Sequence, residues 1–160
     1  MPQESDIILT PASRARLEAE LAVMRTVKRN EIKEAIQKAR EYGDLSENFE
    51  YAAARREQAI LNGRIAEVEA VLARAVMVDE EPGQADVVGL GCVVVLQEDE
   101  EEEWEIVITD THSADPLQDR ISCTSPLGKA LLRRGVGDVV EVETPGGLRA
   151  YTVIRVSQSV

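Results

Sequence analysis

Two long stretches without proline dominate the first half of this chain, and one glycine separates them. Residues 12–42 contain neither proline nor glycine, Gly43 follows, and Gly63 is the only such residue between positions 44 and 81. Apolar residues recur at helical spacings in both stretches: Leu17, Leu21, Met24, Ile32, Ala35, Ile36 and Ala39 in the first, and Leu61, Ile65, Val68, Leu72 and Ala75 in the second. Two helices of about thirty residues, each about 45 Å long and joined by a short loop, predict an antiparallel coiled-coil hairpin with its tip at residues 43–48.

Residues that suit helix termini mark the ends of both helices. Thr10 can accept hydrogen bonds from free backbone N–H groups, and Pro11 fits the first helical position. Gly43 is the residue type favoured just after a helix C-terminus. Residues 44–47, Asp-Leu-Ser-Glu, have the pattern of a capping box, which predicts that the second helix starts there.

Small residues are frequent along the two predicted helices. A set of alanines near the tip predicts a slender rod: Ala35, Ala39, Ala52 and Ala53. Gly63 costs about 1 kcal/mol relative to alanine inside a helix, and its small size permits a close approach of the two helices.

The apolar pattern changes from helical to strand-like after residues 79–83, which we interpret as a linker. Strands are predicted at 91–96, 104–108, 120–124, 139–143 and 150–156, the last two around a Pro-Gly-Gly turn. Ser125 as N-cap and Pro126 at the first position predict a short helix between the third and fourth of these strands. The chain is therefore predicted to be α+β, with the hairpin in residues 1–78 and an antiparallel β-sheet domain with one short helix in residues 79–160.

Charge is distributed unevenly between the two predicted domains. Residues 1–78 contain 12 Lys and Arg against 13 Asp and Glu, whereas residues 79–160 contain 6 against 17. Nearly all of the net charge of −12 therefore belongs to the second domain, which nucleic acid phosphates should repel. The acidic run at residues 98–103 predicts a solvated loop between two strands, although such a run can also bind a cation or a basic partner.

Several function classes find no support in the sequence. No apolar run is long enough to span a membrane, and the first residues lack the basic and apolar regions of a secretory signal. Cys92 and Cys123 lack metal-ligand spacing and are expected to be free thiols. His112 is the sole histidine, so the sequence favours neither a zinc site nor a nucleophilic pair with Cys123.

Asp44 and Glu47 allow two interpretations. As parts of a capping box, their carboxylates satisfy backbone N–H groups and interact favourably with the N-terminal end of the helix dipole. As a pair one turn apart, they can present oxygens to a hard divalent cation such as Mg²⁺, which usually takes one or two protein carboxylates and completes its shell with water and phosphate. Two carboxylates alone are an incomplete metal site, so this second interpretation requires ligands from another protein or a nucleic acid.

The basic residues of the hairpin also allow two interpretations. They can pair with glutamates along the coiled coil, or a stripe of them can guide a phosphate backbone toward the tip. Arg29, Lys33 and Arg40 share one helix face at spacings of four and seven. Arg55 and Arg56 lie two to three turns from the tip on the facing helix.

The tip sequence resembles that of a known protein family. Residues 39–51, Ala-Arg-Glu-Tyr-Gly-Asp-Leu-Ser-Glu-Asn-Phe-Glu-Tyr, are similar to the coiled-coil tip of bacterial Gre-type transcript cleavage factors of the GreA kind. Residues 121–132 and 142–147 independently resemble the C-terminal domain of that family. The resemblance covers nearly the whole chain. Phe49 departs from it, because a small residue is expected there.

The resemblance implies a transcription elongation factor that binds bacterial RNA polymerase. Its FKBP-like C-terminal domain would dock at the rim of the polymerase secondary channel, and its coiled coil would enter that channel. There it would stimulate Mg²⁺-dependent endonucleolytic cleavage of backtracked RNA and so rescue arrested complexes. The resemblance also implies contact with the nascent RNA 3′ end, DNA-binding as part of a transcription complex, a cytoplasmic location and no membrane partner.

The two catalytic tip acids of the family match Asp44 and Glu47, which would help to hold a Mg²⁺ ion completed by the polymerase. The residues expected to contact RNA at or near the tip are Ser46, Asn48, Arg40 and Arg55. The chain is therefore not expected to be an enzyme on its own, nor to bind Mg²⁺ tightly when isolated. The alternatives are a non-cleaving regulator or inhibitor that acts in the secondary channel, and a free-standing isomerase or nuclease.

Overall fold

A computed structural model describes residues 5–44, 48–80 and 86–158. The chain forms two compact units, one consisting of Arg14–Arg74 and the other of Met1–Ser13 together with Ala75–Val160. Residues 5–13 and 75–78 thus belong to the unit that contains the sheet, although the hairpin domain was predicted to span residues 1–78. Within the described ranges, no helix is long and apolar enough to cross a membrane.

The helical unit is the predicted antiparallel hairpin. Its first arm consists of α1 (Pro11–Val23), a π-helical segment (Met24–Lys28) and α2 (Arg29–Arg40), and its second arm is α3 (Phe49–Arg74). The 26 residues of α3 span about 39 Å. Arg14 donates to the Leu72 carbonyl at one end of the hairpin, and Asn48 donates to the Ala39 carbonyl at the other, so the arms run antiparallel.

The first arm departs from the predicted uninterrupted α-helix, because residues 24–28 form a π-helical turn in which the N–H of Arg29 bonds to the carbonyl of Met24. The sequence provides the physical reason. Leu17, Leu21 and Met24 are buried at spacings of four and three, and the same rhythm would continue at positions 28, 31, 35 and 38. The next members of the apolar stripe stand one position later, at Ile32, Ile36 and Ala39. A π turn accommodates the extra residue and returns the stripe to the seam between the arms.

Near the tip, the seam holds Ala39 and Ala54, both of which are buried. The other predicted members of the alanine stripe are exposed: Ala35, Ala52 and Ala53. Ala54 stands seven residues before Leu61 and therefore continues the apolar series of α3. Gly63 is exposed, and a Cβ there would meet no described atom within 4 Å, so this glycine does not mark a close helix approach.

The second unit contains a five-stranded sheet and a separate pair of short strands. The strands are β1 (Ile8–Leu9), β2 (Val76–Met77), β3 (Cys92–Gln97), β4 (Glu103–Thr109), β5 (Arg120–Ser122), β6 (Val139–Thr144) and β7 (Gly147–Gln158). The large sheet has the order β5-β4-β3-β7-β6, and β1 pairs with β2 in parallel. β3 pairs antiparallel with β4 and β7, and β6 pairs antiparallel with β7, as predicted, whereas β4 and β5 run parallel, so the sheet is mixed.

A short helix, α4 (Pro126–Leu131), lies between β5 and β6 in sequence, as its first residues predict. The Ser125 hydroxyl accepts a hydrogen bond from the N–H of Gly128 at 3.1 Å and caps the helix. A Cβ on Gly128 would lie 2.0 Å from the Ser122 carbonyl oxygen, so only glycine allows α4 to approach the end of β5 this closely. The buried core includes Val94, Leu96, Ile106, Ile108, Leu131 and Val153.

Thr10 and Asp110 hold the first turn of α1. The Thr10 hydroxyl accepts from the N–H of Ser13 at 3.2 Å, which confirms the predicted cap. One Asp110 oxygen accepts from the N–H and hydroxyl of Thr10 at 2.9 and 3.1 Å, and the other accepts from the N–H of Ser113 at 2.8 Å. Burial raises the pKa of Asp110, but hydrogen bonds from Ser13, Thr10 and Ser113 outweigh burial, so the pKa lies below its ordinary value.

Candidate functional site

The tip begins where α2 ends. Gly43 has a φ of +99°, a left-handed conformation that glycine adopts without strain, and its N–H donates to the Arg40 carbonyl at 3.3 Å. Asp44 follows and is exposed. Ser46 and Glu47 lie outside the described residues, so the catalytic and metal-binding role of Glu47 and the RNA contact of Ser46 stay predictions.

Asn48 is the N-cap of α3, a role that the capping-box pattern assigned to Asp44. The Asn48 side-chain oxygen accepts from the N–H of Tyr51 at 3.0 Å, as an N-cap does. Its side-chain N–H₂ group donates to the carbonyl of Ala39 at the end of α2. α3 therefore starts at Phe49, later than predicted. The signal for this start was present, because asparagine caps helices as well as aspartate does.

A groove of about 420 Å³ lies on the hairpin between α2 and α3. This basic groove is lined by Lys33, Ile36, Gln37, Arg40, Arg55 and Gln58. A second depression of about 250 Å³ shares Gln58 with it and adds Arg29. The stripe predicted from the spacing of Arg29, Lys33 and Arg40 therefore exists, and Arg55 adds a cation from the second arm. Cations arranged along a groove suit a chain of phosphates.

An aromatic ring adjoins the basic groove. The guanidinium carbon of Arg40 lies 5.9 Å from the centroid of the Tyr51 ring, within the range of cation–π attraction. Tyr51, Arg55 and Gln58 share one face of α3, and Arg55 donates to the Gln58 side-chain oxygen at 2.7 Å. Tyr51 and Gln37 were not predicted as site residues, although the spacing of 51, 55 and 58 was sufficient to place Tyr51 on this face.

Other basic residues of the hairpin form the ion pairs typical of a coiled coil. Arg64 lies 3.0 Å from Glu20, and Arg25 pairs with Glu69. These pairs are exposed to solvent, so each contributes little stability. In residues 5–44, 48–80 and 86–158, no ion pair involves a cation of the basic groove. The ion-pair interpretation therefore holds for Arg25 and Arg64, and the guiding of phosphates by the groove cations stays a prediction.

Metal-binding groups are sparse in the part of the chain that the structure describes. It contains no group of three or more His, Cys, Asp or Glu side chains that could hold a metal ion. The exposed carboxylate of Asp44 has the oxygen chemistry that a hard cation prefers. A complete coordination shell at the tip would need ligands from beyond the described residues.

Cys123 is not an activated nucleophile. Burial, and then the negative charge of Asp110, raises the pKa of its thiol to about 11, so the thiol stays protonated at neutral pH. His112 is exposed, whereas Cys123 is buried. Cys92 is also a buried free thiol, as predicted.

The acidic run forms the predicted loop between two strands. Gln97 on β3 pairs with Glu103 on β4, which closes the loop. Glu98 lies 2.9 Å from Arg149 on β7. Residues 99–103 are exposed, so most of the run is solvated surface.

Comparison with known proteins gives the same family for both parts of the chain. Residues 7–77 match the family described as transcription elongation factor, N-terminal, and residues 83–158 match transcription elongation factor, GreA/GreB, C-term. Similar relatives include the transcription elongation factors GreA of Thermoanaerobacter pseudethanolicus and Rhodospirillum rubrum, each 47% identical over 151 residues that cover 94% of this chain and 96% of the relative. A similar solved structure is GreA factor homolog 1 of Thermus thermophilus, 34% identical, with 95% of this chain and 99% of that chain covered and a TM-score of 0.44.

A helical hairpin followed by a mixed sheet, with both parts matching the same kind of factor, defines an α+β transcription elongation factor. The chain belongs to the GreA/GreB family. These matches confirm the resemblance inferred from the tip and from the second domain.

Proposed function

We propose that this protein enters the secondary channel of bacterial RNA polymerase and stimulates cleavage of the 3′ end of backtracked RNA, which rescues arrested complexes. The observation that carries the proposal is the exposed carboxylate of Asp44 at the end of a hairpin whose second arm is about 39 Å long. An arm of this length can carry a carboxylate deep into a narrow channel. The relatives named transcription elongation factor GreA support a role in transcription elongation.

Asp44 and Glu47 would supply two carboxylates to a Mg²⁺ ion whose remaining ligands come from the polymerase, water and the RNA phosphate. When bound, this ion would polarise the scissile phosphate and lower the pKa of an attacking water. Two carboxylates match the small number of protein ligands that Mg²⁺ usually takes. Asp44 directly follows Gly43, whose left-handed backbone turns the chain just beyond the end of α2.

The basic groove would hold the phosphate backbone of the displaced RNA. Arg40 and Arg55 line the groove from opposite arms, and Lys33 extends it away from the tip. Each phosphate contact displaces counterions, so this part of the binding should weaken steeply as salt increases. Ser46 and Asn48 would contact RNA closer to the acid pair.

The protein alone is not proposed to be an enzyme. It would donate its carboxylates to the active centre of the polymerase, in the cytoplasm, and would act only where the polymerase completes the catalytic set. The isolated protein should therefore neither cleave RNA nor bind Mg²⁺ tightly.

RNA cleavage in backtracked elongation complexes tests the proposal. With Mg²⁺, the wild-type protein should shorten the RNA from its 3′ end, and Asp44→Asn with Glu47→Gln should slow this cleavage by roughly a hundredfold or more. Glu41→Gln with Glu50→Gln is the matched control, because it removes two exposed carboxylates beside the tip and should leave cleavage intact. Equal cleavage by the Asp44 and Glu47 variant would contradict the mechanism.

The same assay separates the alternative, a non-cleaving regulator of the secondary channel. Such a regulator would change polymerase activity without shortening the RNA, and loss of the tip acids would not alter its effect. A free-standing enzyme, in contrast, would act on its substrate without polymerase, which an assay of the purified protein detects.

A further inference from the structure

Aromatic residues are concentrated at one end of the hairpin. The chain has five of them, and three, Tyr42, Phe49 and Tyr51, fall within ten positions around the tip. The other two, Trp104 and Tyr151, pack on each other in the sheet unit with ring centroids 6.2 Å apart. The three aromatic residues near the tip are therefore not part of this aromatic pair.

Phe49 is the most exposed large apolar side chain among the described residues of the hairpin. It is 87% exposed, and Tyr42 is 64% exposed. Phe49 occupies the first position of α3, where helix propensity does not favour phenylalanine and its ring adds little packing. A phenyl ring left in water gains free energy when it is covered by another flat apolar surface. The position of this ring thus favours a contact with a partner.

The backbone that carries Phe49 is held in place. Asn48 caps the first turn of α3 through the N–H of Tyr51 and joins this turn to the Ala39 carbonyl of α2. A ring presented on a capped helix loses little conformational freedom when it binds. Binding through Phe49 therefore requires less ordering of the chain than binding through a side chain on a flexible loop.

The charges nearby indicate the chemistry of the partner. Arg40 and Arg55 line the basic groove, and the Arg40 guanidinium approaches the Tyr51 ring. Proteins that bind single-stranded nucleic acid combine a basic groove, which follows the phosphates, with aromatic rings on which unpaired bases stack. The tip of this hairpin has both parts, with Phe49 on a different face of α3 from the groove residues Arg55 and Gln58.

We propose that the Phe49 ring stacks on an unpaired base near the 3′ end of the backtracked RNA while the basic groove, on another face of the hairpin, holds phosphates elsewhere on the same strand. This inference rests on the proposed function, which brings that RNA to the tip. Stacking would orient the RNA relative to Asp44 and would not take part in bond cleavage, so Phe49 is a positioning residue. Because purines stack over a larger area than pyrimidines, cleavage should be faster when the extruded base is a purine.

Cleavage of RNA that carries an abasic nucleotide at the extruded 3′ position is the first test. On RNA with its bases intact, Phe49→Ala should slow cleavage by about tenfold and Phe49→Trp should preserve it. On the abasic RNA, the wild type and Phe49→Ala should cleave equally slowly. Ile60→Ala is the matched control, because Ile60 is a 67% exposed apolar residue on the same helix, farther from the tip. A Phe49→Ala loss of equal size on both RNAs would instead identify a contact with a protein surface and overturn the proposal.

Photo-cross-linking tests the contact independently of cleavage. A backtracked complex with 5-iodouridine at the RNA 3′ end is combined with the Asp44→Asn/Glu47→Gln variant, which should leave the RNA intact. Irradiation should join the base to residue 49, and the cross-link should vanish with Phe49→Ala and persist with Ile60→Ala. If the wild type fails to stimulate cleavage, the proposed function fails, and the cross-link still decides whether Phe49 contacts the base. Absence of a cross-link at residue 49 would overturn the inference.

Discussion

The side-chain N–H₂ group of Asn48 donates a hydrogen bond to the backbone carbonyl of Ala39, nine positions earlier in the chain. The oxygen of the same side chain accepts from the N–H of Tyr51 at 3.0 Å. One amide therefore closes the end of α2 and caps the start of α3. This arrangement holds the end of α2 and the start of α3 together on either side of the tip. Asn48 therefore has a structural role in addition to its predicted contact with RNA.

Two replacements of Asn48 should measure the contributions of its two hydrogen bonds to stability separately. Asn48→Ser keeps an oxygen that can cap α3 but loses the bond to Ala39, which should lower the free energy of unfolding by about 1 kcal/mol. Asn48→Ala also loses the cap and should cost about 1 kcal/mol more. Urea denaturation followed by circular dichroism measures both values. Equal stability of the two variants would show that the cap contributes nothing.

The start of α3 at Phe49 does not follow from the local sequence alone. The segment from Asp44 to Asn48 contains three residues of types that suit an N-cap, Asp44, Ser46 and Asn48, and local pattern alone cannot choose among them. The bond from Asn48 to Ala39 decides the choice, and it exists only because the two arms meet. The heptad-like spacing predicted the hairpin itself, because burial of one helix face leaves a period in the sequence. The shared face of Arg29, Lys33 and Arg40 on the first arm was predictable for the same reason.

The sequence predicts the positions of the strands better than it predicts how they pair. Alternation of apolar residues locates β4 and β5 but does not reveal their relative direction, which depends on how the chain between them crosses over. The pairing of Ile8 with Val76 joins two strands of two residues each, too short to show any alternation. Such contacts follow from tertiary packing and have no local signature.

Two glycines of the hairpin should respond in opposite directions to replacement by alanine. Gly63→Ala should stabilise the protein by about 0.5 to 1 kcal/mol, since a Cβ there meets no described atom within 4 Å and alanine favours a helix. Gly43→Ala should destabilise it by about 1 to 2 kcal/mol, because its φ of +99° strains a residue with a side chain. Thermal unfolding of the two variants measures the contrast. A loss of stability in Gly63→Ala would indicate that the hairpin arms approach more closely there.

Gly128 should be among the least replaceable residues of the sheet unit. Its missing side chain leaves room for the Ser122 carbonyl oxygen, which a Cβ would approach to 2.0 Å. Backbone cannot move aside as the end of a flexible side chain can, so Gly128→Ala should cost about 3 kcal/mol or more. Gly146→Ala serves as the control, because the nearest atom to its Cβ would be 3.7 Å away on the Arg149 side chain. Denaturation that affects both variants equally would contradict this account.

Asp110 should make the stability of this protein depend on pH in the acidic range. Asp110 is 3% exposed, and although burial raises the pKa of its carboxyl, hydrogen bonds from Ser13, Thr10 and Ser113 hold that pKa in the folded state below the ordinary value. The folded chain thus binds this proton less tightly than the unfolded chain does. The stabilisation is fully present above the unfolded pKa of about 4 and is lost as the pH falls through the lower folded-state value.

Asp110→Asn should therefore cost about 1 to 3 kcal/mol at pH 7, and much less near pH 2. Asn removes the charge and also replaces one accepting oxygen with an N–H₂ group, which cannot accept from a backbone N–H. The part of the loss that disappears at low pH is therefore the part that depends on ionisation. Urea denaturation of the wild type and Asp110→Asn across this range measures the difference, with Asp99→Asn in the exposed loop as the control for an ordinary surface carboxylate. A difference between the wild type and Asp110→Asn that stays constant with pH would mean that the carboxylate stabilises the start of α1 without its charge.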